Sequence, residues 1–376
     1  MKKIGNTLKE KHCEEPEKLC MQTHEIKNVW NHFPKIELHR HLEGSFHLKT
    51  LFKIAQKNKL DVPATFPDFK KAFQFPKDSK PDFHLFLSKF KQNWYRSLDD
   101  VYNIAYESIK SFKSDNLFYL ELRFSAESFS IFNNFDRIEA AKLVIDAGNK
   151  AAAESGFKIR YLITFNRHQC GEDYFISLYK KIAALGKKEI VGIDLAGDEI
   201  NYPLKLFPKF FSFVKNDGLY KTTIHAGEVT PASEIWEAIK LNAARIGHGT
   251  AAVNDPELQN CLKKNAIALE QCITSNYQTG SWPDEKTHPV NTLYRLGVPV
   301  TLNSDDPTIQ DTDLSEDYAK AEKHFAFTLN DFVNLNLTAI RSTFVPDSEK
   351  QTLQHEYLQA VGEFKDSVSP HLESFT

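Results

Sequence analysis

The sequence predicts an α/β protein, a closed (β/α)8 barrel with extra helices after the first strand. Three observations predict it. Eight short apolar, β-rich segments recur along the chain, longer segments of helical periodicity separate them, and a polar or ionisable residue stands at the end of each short segment. Strands alternating with helices pair in parallel through crossovers, and eight such units close into a barrel more readily than they form an open sheet.

The candidate strands are Lys35–His39, Leu117–Phe124, Lys158–Phe165, Ile190–Leu195, Tyr220–His225, Arg245–Gly247, Ala266–Glu270 and Val298–Leu302. Helical patterns such as ASEIWEAIKLNAA and DRIEAAKLVIDAGNKAAAESG lie between them. The first crossover, from about 45 to 115, is longer than one unit needs and reads as several helices, including the Phe-rich PDFHLFLSKF of 81–90. Residues 1–29 read as an extension or added helix, and 30–376 as one barrel domain.

Composition narrows the class. With 41% hydrophobic and 26% charged residues the chain has the make-up of a globular protein rather than a disordered one. A formal charge of −3 gives no electrostatic reason to expect nucleic acid as a partner. No run approaches the ~20 apolar residues of a membrane span, and the charged N-terminus lacks the apolar stretch of a secretion signal. The five cysteines (13, 20, 170, 261 and 272) form no C-x-x-C, which argues for a reducing, cytoplasmic setting.

The strand ends carry the chemistry. In this architecture active sites form at the C-terminal ends of the strands. There stand His39 and His41, then Arg123 with Ser125, Arg167 and His168, Gly197 to Glu199, His225 and Glu228, His248, Cys272 to Asn276, and Asp305-Asp306. Side chains at i and i+2 of a strand share a face, so His39 and His41 can ligate one metal. His225 and Asp305 end equivalent strands, and three imidazoles with one carboxylate suit zinc with a position left for water. Zinc lowers the pKa of its water to near 7. Attack by the resulting hydroxide needs a group to orient or take the water proton, for which His248 is placed. It also needs an acid, for which Glu228 qualifies if burial raises its pKa. Asp306 points away from its neighbour's metal and is suited to accept a hydrogen bond from substrate.

The ordered fragments PKIELHRHLEGS, IDLAGDE, TIHAGE, RIGHGT, LEQCITSN and TLNSDDP resemble the signature set of the adenosine deaminase family of zinc aminohydrolases. The resemblance runs from about Pro34 to Asp306 and, more loosely, to about 345. It implies a (β/α)8 barrel with one zinc per chain, converting adenosine and 2′-deoxyadenosine to inosines plus ammonia in purine salvage. It also implies zinc ligation by His39, His41, His225 and Asp305, protonation of purine N1 by Glu228, and positioning and deprotonation of the water by His248. Asp306 would pair with N7 and the Gly197 N–H with N3, while Glu43 would contact the sugar 5′-hydroxyl. Phe86, Leu87 and Phe90 would close the pocket, and Arg123 and His168 would support the site. Asn276 and His288 receive no role.

One departure bears on substrate. Nucleoside deaminases of this kind commonly carry Asp where this chain has Glu43, and the adenine-specific branch carries Glu. The loop NYQTGSWPDEKTHP resembles that of adenosine deaminases, which favours the nucleoside. Adenine, or a modified adenosine such as 6-aminodeoxyfutalosine, is the alternative. Two further readings are a two-metal barrel hydrolase, which would need a lysine at the strand ends that RYLITFN and GIDLAG lack, and a non-enzymatic barrel, which would have lost a ligand.

Overall fold

A computed structural model describes residues 29–91, 93–130, 133–169, 171–186 and 188–372. The expected N-terminal extension, except Val29, lies outside the described residues, as do Cys13, Cys20 and Cys170. Eight parallel strands follow one another around a barrel: β1 (Lys35–His41), β2 (Leu117–Phe124), β3 (Lys158–Asn166), β4 (Ile190–Ala196), β5 (Lys221–Ala226), β6 (Arg245–His248), β7 (Ala268–Gln271) and β8 (Val300–Leu302). Parallel strands are covered on both faces, which is why they read as near-continuous apolar runs; every residue of β4 is buried. All eight expected strands are present, with ends displaced by up to two residues.

β1 runs two residues further than its apolar pattern suggests, for a tertiary reason. The His41 N–H donates to the Asp305 carbonyl at 2.9 Å, and the Asp305 N–H donates to the His39 carbonyl at 3.0 Å. This bridge just past β8 draws the ends of the sheet together. Asn303 adds its side-chain oxygen, which accepts from the Leu38 N–H at 3.0 Å.

Between β1 and β2 lie α1 (Leu48–Lys57), α2 (Phe66–Phe73), α3 (Phe83–Leu87) and α4 (Leu98–Ser111), the multi-helix excursion expected from its length. The short α3 starts at Asp82, whose carboxylate accepts from the Leu85 N–H at 2.6 Å. The outer layer continues with α5 (Arg137–Ser155), α6 (Glu172–Ala183), α7 (Pro208–Asp217), α8 (Ala232–Lys240) and α9 (Pro256–Asn265). Then come α10 (Ile273–Gln278), α11 (Val290–Arg295), α12 (Pro307–Gln310), α13 (Leu314–Phe325), α14 (Leu329–Ser342) and α15 (Asp347–Leu372). Among the described residues, no helix is long and apolar enough to cross a membrane.

The barrel interior is polar where an apolar filling would be ordinary. Glu121 and Arg123 of β2, Asp194 of β4, Thr223 of β5, Arg245 of β6 and Glu270 of β7 are all buried and bonded to one another. A second buried group, Arg40 with Glu37 and Asp115, ties β1 to the turn before β2.

Asp317 of α13 is also buried and accepts a hydrogen bond from Thr274, with the Lys320 ammonium 4.0 Å away. Burial lifts its carboxyl to about 7, against the pull of Lys320 and Thr274. From about pH 4 to 7 the folded chain holds a proton that the unfolded chain has released, so this contribution to stability is lost as pH rises through 7. Asp317→Asn is expected to reduce the fall in unfolding free energy between pH 5 and pH 8 by roughly 2–4 kcal/mol. Urea titrations at the two pH values check this; equal falls in both proteins would exclude Asp317 as the cause.

Candidate active site

Four side chains from both ends of the chain converge at the C-terminal mouth of the barrel. His39 and His41 come from β1, His225 from β5 and Asp305 from the turn after β8, and one ligating atom of each lies within 4.8 Å of all the others. The second nitrogens of two imidazoles are already committed. His39 Nδ1 faces Glu270 Oε2 at 2.7 Å, and His225 Nδ1 faces Asp194 Oδ1 at 3.0 Å. Against the upward push of burial, Arg123 and Arg245 hold Glu270 well below the usual carboxylate range, and His225 and Arg123 do the same for Asp194. Both carboxylates are therefore acceptors, so the histidines donate from Nδ1 and turn Nε2 into the site.

There they meet Asp305 and one another. His39 Nε2 is 3.1 Å from Asp305 Oδ1. His41 Nε2 lies 3.3 Å from His225 Nε2 and 3.4 Å from Asp305 Oδ1. Against burial and the charge of Arg123, Asp305 and Glu270 raise the His39 pKa, so the pocket favours positive charge among these atoms. Three imidazoles with one carboxylate are a donor set that fits a divalent metal such as zinc. An overlapping set, His39, His248, Cys272 and Asp305, is less suited. Burial keeps the Cys272 thiol well above its ordinary pKa, and that thiol donates to the Glu270 carbonyl at 3.6 Å.

Beside this cluster stand Glu228 and His248. His248 Nε2 is 3.6 Å from Glu228 Oε2 and 3.9 Å from Asp305 Oδ2. Burial, then the charges of Glu199 and Asp305, push Glu228 well above the ordinary carboxylate range, which favours its protonated form. The turn that presents Glu228 is pinned from two sides. Glu199 accepts from the N–H groups of Gly227 (3.1 Å), Val229 (2.5 Å) and Thr230 (3.2 Å) and from the Thr230 hydroxyl (2.8 Å). The Thr250 hydroxyl donates to the Gly227 carbonyl at 2.9 Å. Gly227 has φ +66°, and a side chain there would collide with Ile235.

A cavity of about 140 Å³ opens over these groups. Its walls include Glu43, Gly197, Asp306, Phe86, Leu87 and Phe90, each singled out from the sequence, and also Phe83, Thr164 and Asn166. Glu43 Oε1 accepts from the Ser125 N–H at 2.8 Å while Oε2 has no partner; burial lifts this carboxyl to about 7. Asp306 is also pushed well up, by burial and by the charges of Asp305 and Glu43. His168 sits at the exposed rim of the cavity. Arg167 turns away, donating to the carbonyls of Tyr202 and His225.

The sequence model of the family described as "Adenosine deaminase" matches residues 34–360. The chain belongs to that family. The match extends beyond the approximate limit of 345 suggested by motifs alone. An adenosine deaminase from Aliivibrio fischeri (strain ATCC 700601 / ES114) is 33% identical over 330 residues, covering 85% of this chain and 96% of the relative. Among solved structures, the adenine deaminase from Arthrobacter aurescens superposes with a TM-score of 0.79 at 23% identity, covering 88% of this chain and 99% of that one. The N6-methyl-AMP deaminase from Arabidopsis thaliana gives 0.76 at 26% identity, covering 90% and 99%. Membership in the adenosine deaminase family makes the chain an enzyme, a deaminase of the hydrolase class.

Sequence reading passes over several residues that shape this deaminase site. In the sequence Asp194 and Glu270 are strand residues, and a carboxylate inside an apolar parallel strand is itself a signal of an interior partner. Glu199 stands at a strand end with nothing in the sequence to link it to the Glu228 turn. Ser275, whose hydroxyl donates to Asp305 Oδ2 at 2.6 Å, gives no signal in sequence.

Gly44 marks the tightest approach in the site: an added Cβ would fall inside the Asp306 carboxyl. Its carbonyl also accepts from the Thr308 N–H at 2.9 Å, so the backbone has little freedom to yield. Gly44→Ala is expected to displace Asp306 and lower deaminase kcat/KM by about 100-fold or more. Steady-state assays alongside wild type test this, and turnover within threefold would show that the loop relaxes.

Proposed function

We propose that this protein hydrolyses adenosine and 2′-deoxyadenosine to inosine and 2′-deoxyinosine, releasing ammonia, with one zinc ion per chain. The observation that carries this reading is the meeting, in one cavity, of a convergent set of three imidazoles and a carboxylate with a buried carboxyl whose surroundings favour its protonated form. His39, His41, His225 and Asp305 hold the metal. Zinc in such a set supplies Lewis acidity and makes hydroxide available at neutral pH.

The chain's own residues perform the remaining steps. Glu228 donates its proton to purine N1 as electron density gathers there on attack at C6. Asp306, protonated for the reasons above, donates to N7, which has only a lone pair to offer. Gly197, at φ +96°, brings its backbone N–H to N3. His248 faces the attacking water, and Phe86, Leu87 and Phe90 exclude bulk solvent.

A nucleoside is favoured over a nucleotide by charge. The cavity offers a phosphate little to pair with: its one lysine, Lys91, is exposed at the rim, and the Asp305 carboxylate adds negative charge inside. The unpartnered Glu43 Oε2 suits a sugar hydroxyl. The relative that acts, by its name, on N6-methyl-AMP is the reason to include monophosphates in a substrate panel with adenosine, deoxyadenosine and adenine. A preference for a monophosphate or for adenine in kcat/KM would overturn the substrate assignment.

Glu228→Gln is expected to retain one equivalent of zinc while kcat falls by about 100-fold or more. Asp305→Ala is expected to bind well under one equivalent. Elemental analysis and ultraviolet assays check both, and near-normal turnover of Glu228→Gln would remove it as the acid. Glu43→Ala is expected to lower kcat/KM for adenosine by roughly 10- to 100-fold and to leave any adenine turnover nearly unchanged. Equal losses on both substrates would make Glu43 a structural residue.

A further inference from the structure

Asn276 and His288, left without a role by the motifs, form a buried chain of hydrogen bonds that ends on His248. Its first link is a backbone group. The Val290 N–H donates to His288 Nδ1 at 3.2 Å, and a backbone amide cannot reverse direction. His288 Nδ1 is therefore a lone pair, and the ring carries its proton on Nε2. That Nε2 lies 3.0 Å from Asn276 Oδ1, which accepts. The other end of the same amide, Nδ2, can only donate, and it lies 3.1 Å from His248 Nδ1. His248, Asn276 and His288 are all fully or almost fully buried, so a broken link would leave a buried polar group unpaired.

We propose that Asn276 and His288 are positioning residues that lock the His248 imidazole in the tautomer bearing its proton on Nε2, so that His248 meets the attacking water as a hydrogen-bond donor. The inference rests on the reading, given above, that His248 faces that water. Two observations agree with it. Burial pushes His288 down to about 3, which leaves it neutral with a single ring proton. Two carboxyl oxygens lie near the His248 Nε2, Glu228 Oε2 at 3.6 Å and Asp305 Oδ2 at 3.9 Å, which suit an N–H.

The chemical consequence is specific. A neutral imidazole with a proton on Nε2 has no lone pair facing the cavity and takes no proton from water there. It directs an N–H at the water oxygen, which orients the remaining lone pair towards the purine. This differs from the base role that the family resemblance implies for His248.

The test uses zinc-loaded, full-length protein with 15N-labelled histidine. Long-range 1H–15N correlation distinguishes the two ring nitrogens, and the His248 signals are assigned by their loss in His248→Gln. The expected result is a protonated Nε2 and an unprotonated Nδ1; a protonated Nδ1 overturns the proposal. Asn276→Asp supplies the second arm, because a carboxylate draws the His248 proton to Nδ1. A donor role predicts a fall in kcat of about 10- to 100-fold with KM within threefold, accompanied by reversal of the tautomer. A reversed tautomer with kcat retained or raised means that His248 works as a base and overturns the donor role. The wild-type spectrum keeps the lock falsifiable even if that variant does not fold. Normal turnover in His248→Gln would instead defeat the reading that His248 meets the water, while leaving the lock intact.

Discussion

The site depends on one buried carboxylate. Glu270 receives Arg123 Nη2 and His39 Nδ1 on one oxygen, each at 2.7 Å, and Arg245 Nε at 2.5 Å and Thr223 Oγ1 at 3.1 Å on the other. Its donors come from β1, β2, β5 and β6, so a single side chain fixes how four other strands meet across the barrel. An ion pair this deep gains little over an apolar filling, because desolvation offsets the attraction, and its value lies in direction. An apolar residue would fill the volume but could not turn the His39 Nε2 towards Asp305.

Around that anchor, environment separates carboxyl groups that are chemically alike. Asp305 is held well below the ordinary range by the imidazoles, His39 foremost, despite its burial. Glu228, in the same cavity, is pushed well above it, because burial and the charges of Glu199 and Asp305 act in the same direction. One carboxyl is ready to ligate and the other to donate a proton, a division of labour set entirely by neighbours. Local backbone strain appears in the same place. His248 and Asp305 have φ of +57° and +65°, conformations that a side chain rarely adopts unless tertiary bonds enforce them. For Asp305 the enforcing contact is the bridge to β1 that draws the barrel together.

Much of the fold was legible because its signals are local. Apolar runs and helical periodicity located all eight strands. The end of β1 was misjudged because distant partners set it, and the starts of β7 and β8 because the preceding helices end later than the apolar pattern suggests. The candidate site was legible where a residue type and a strand end coincide, as in HRH, HAGE, GHG and SDDP. It was illegible where a residue acts through space. Glu199 pins the Glu228 turn from 29 positions earlier in the chain, and Glu270 orients His39 across 231. Asn276 and His288 are close in sequence, yet their meaning comes from His248 on another strand and from the backbone at Val290.

By itself, then, the sequence determined the architecture, the kind of chemistry and the residue types gathered at the barrel mouth. Strand periodicity and ligand identity are properties of short stretches of chain. The tertiary structure alone decided which nitrogen of each histidine faces the cavity, which carboxyls keep a proton, and how the Glu228 turn is held. Those properties arise from burial and from hydrogen bonds between distant segments, which no local pattern encodes.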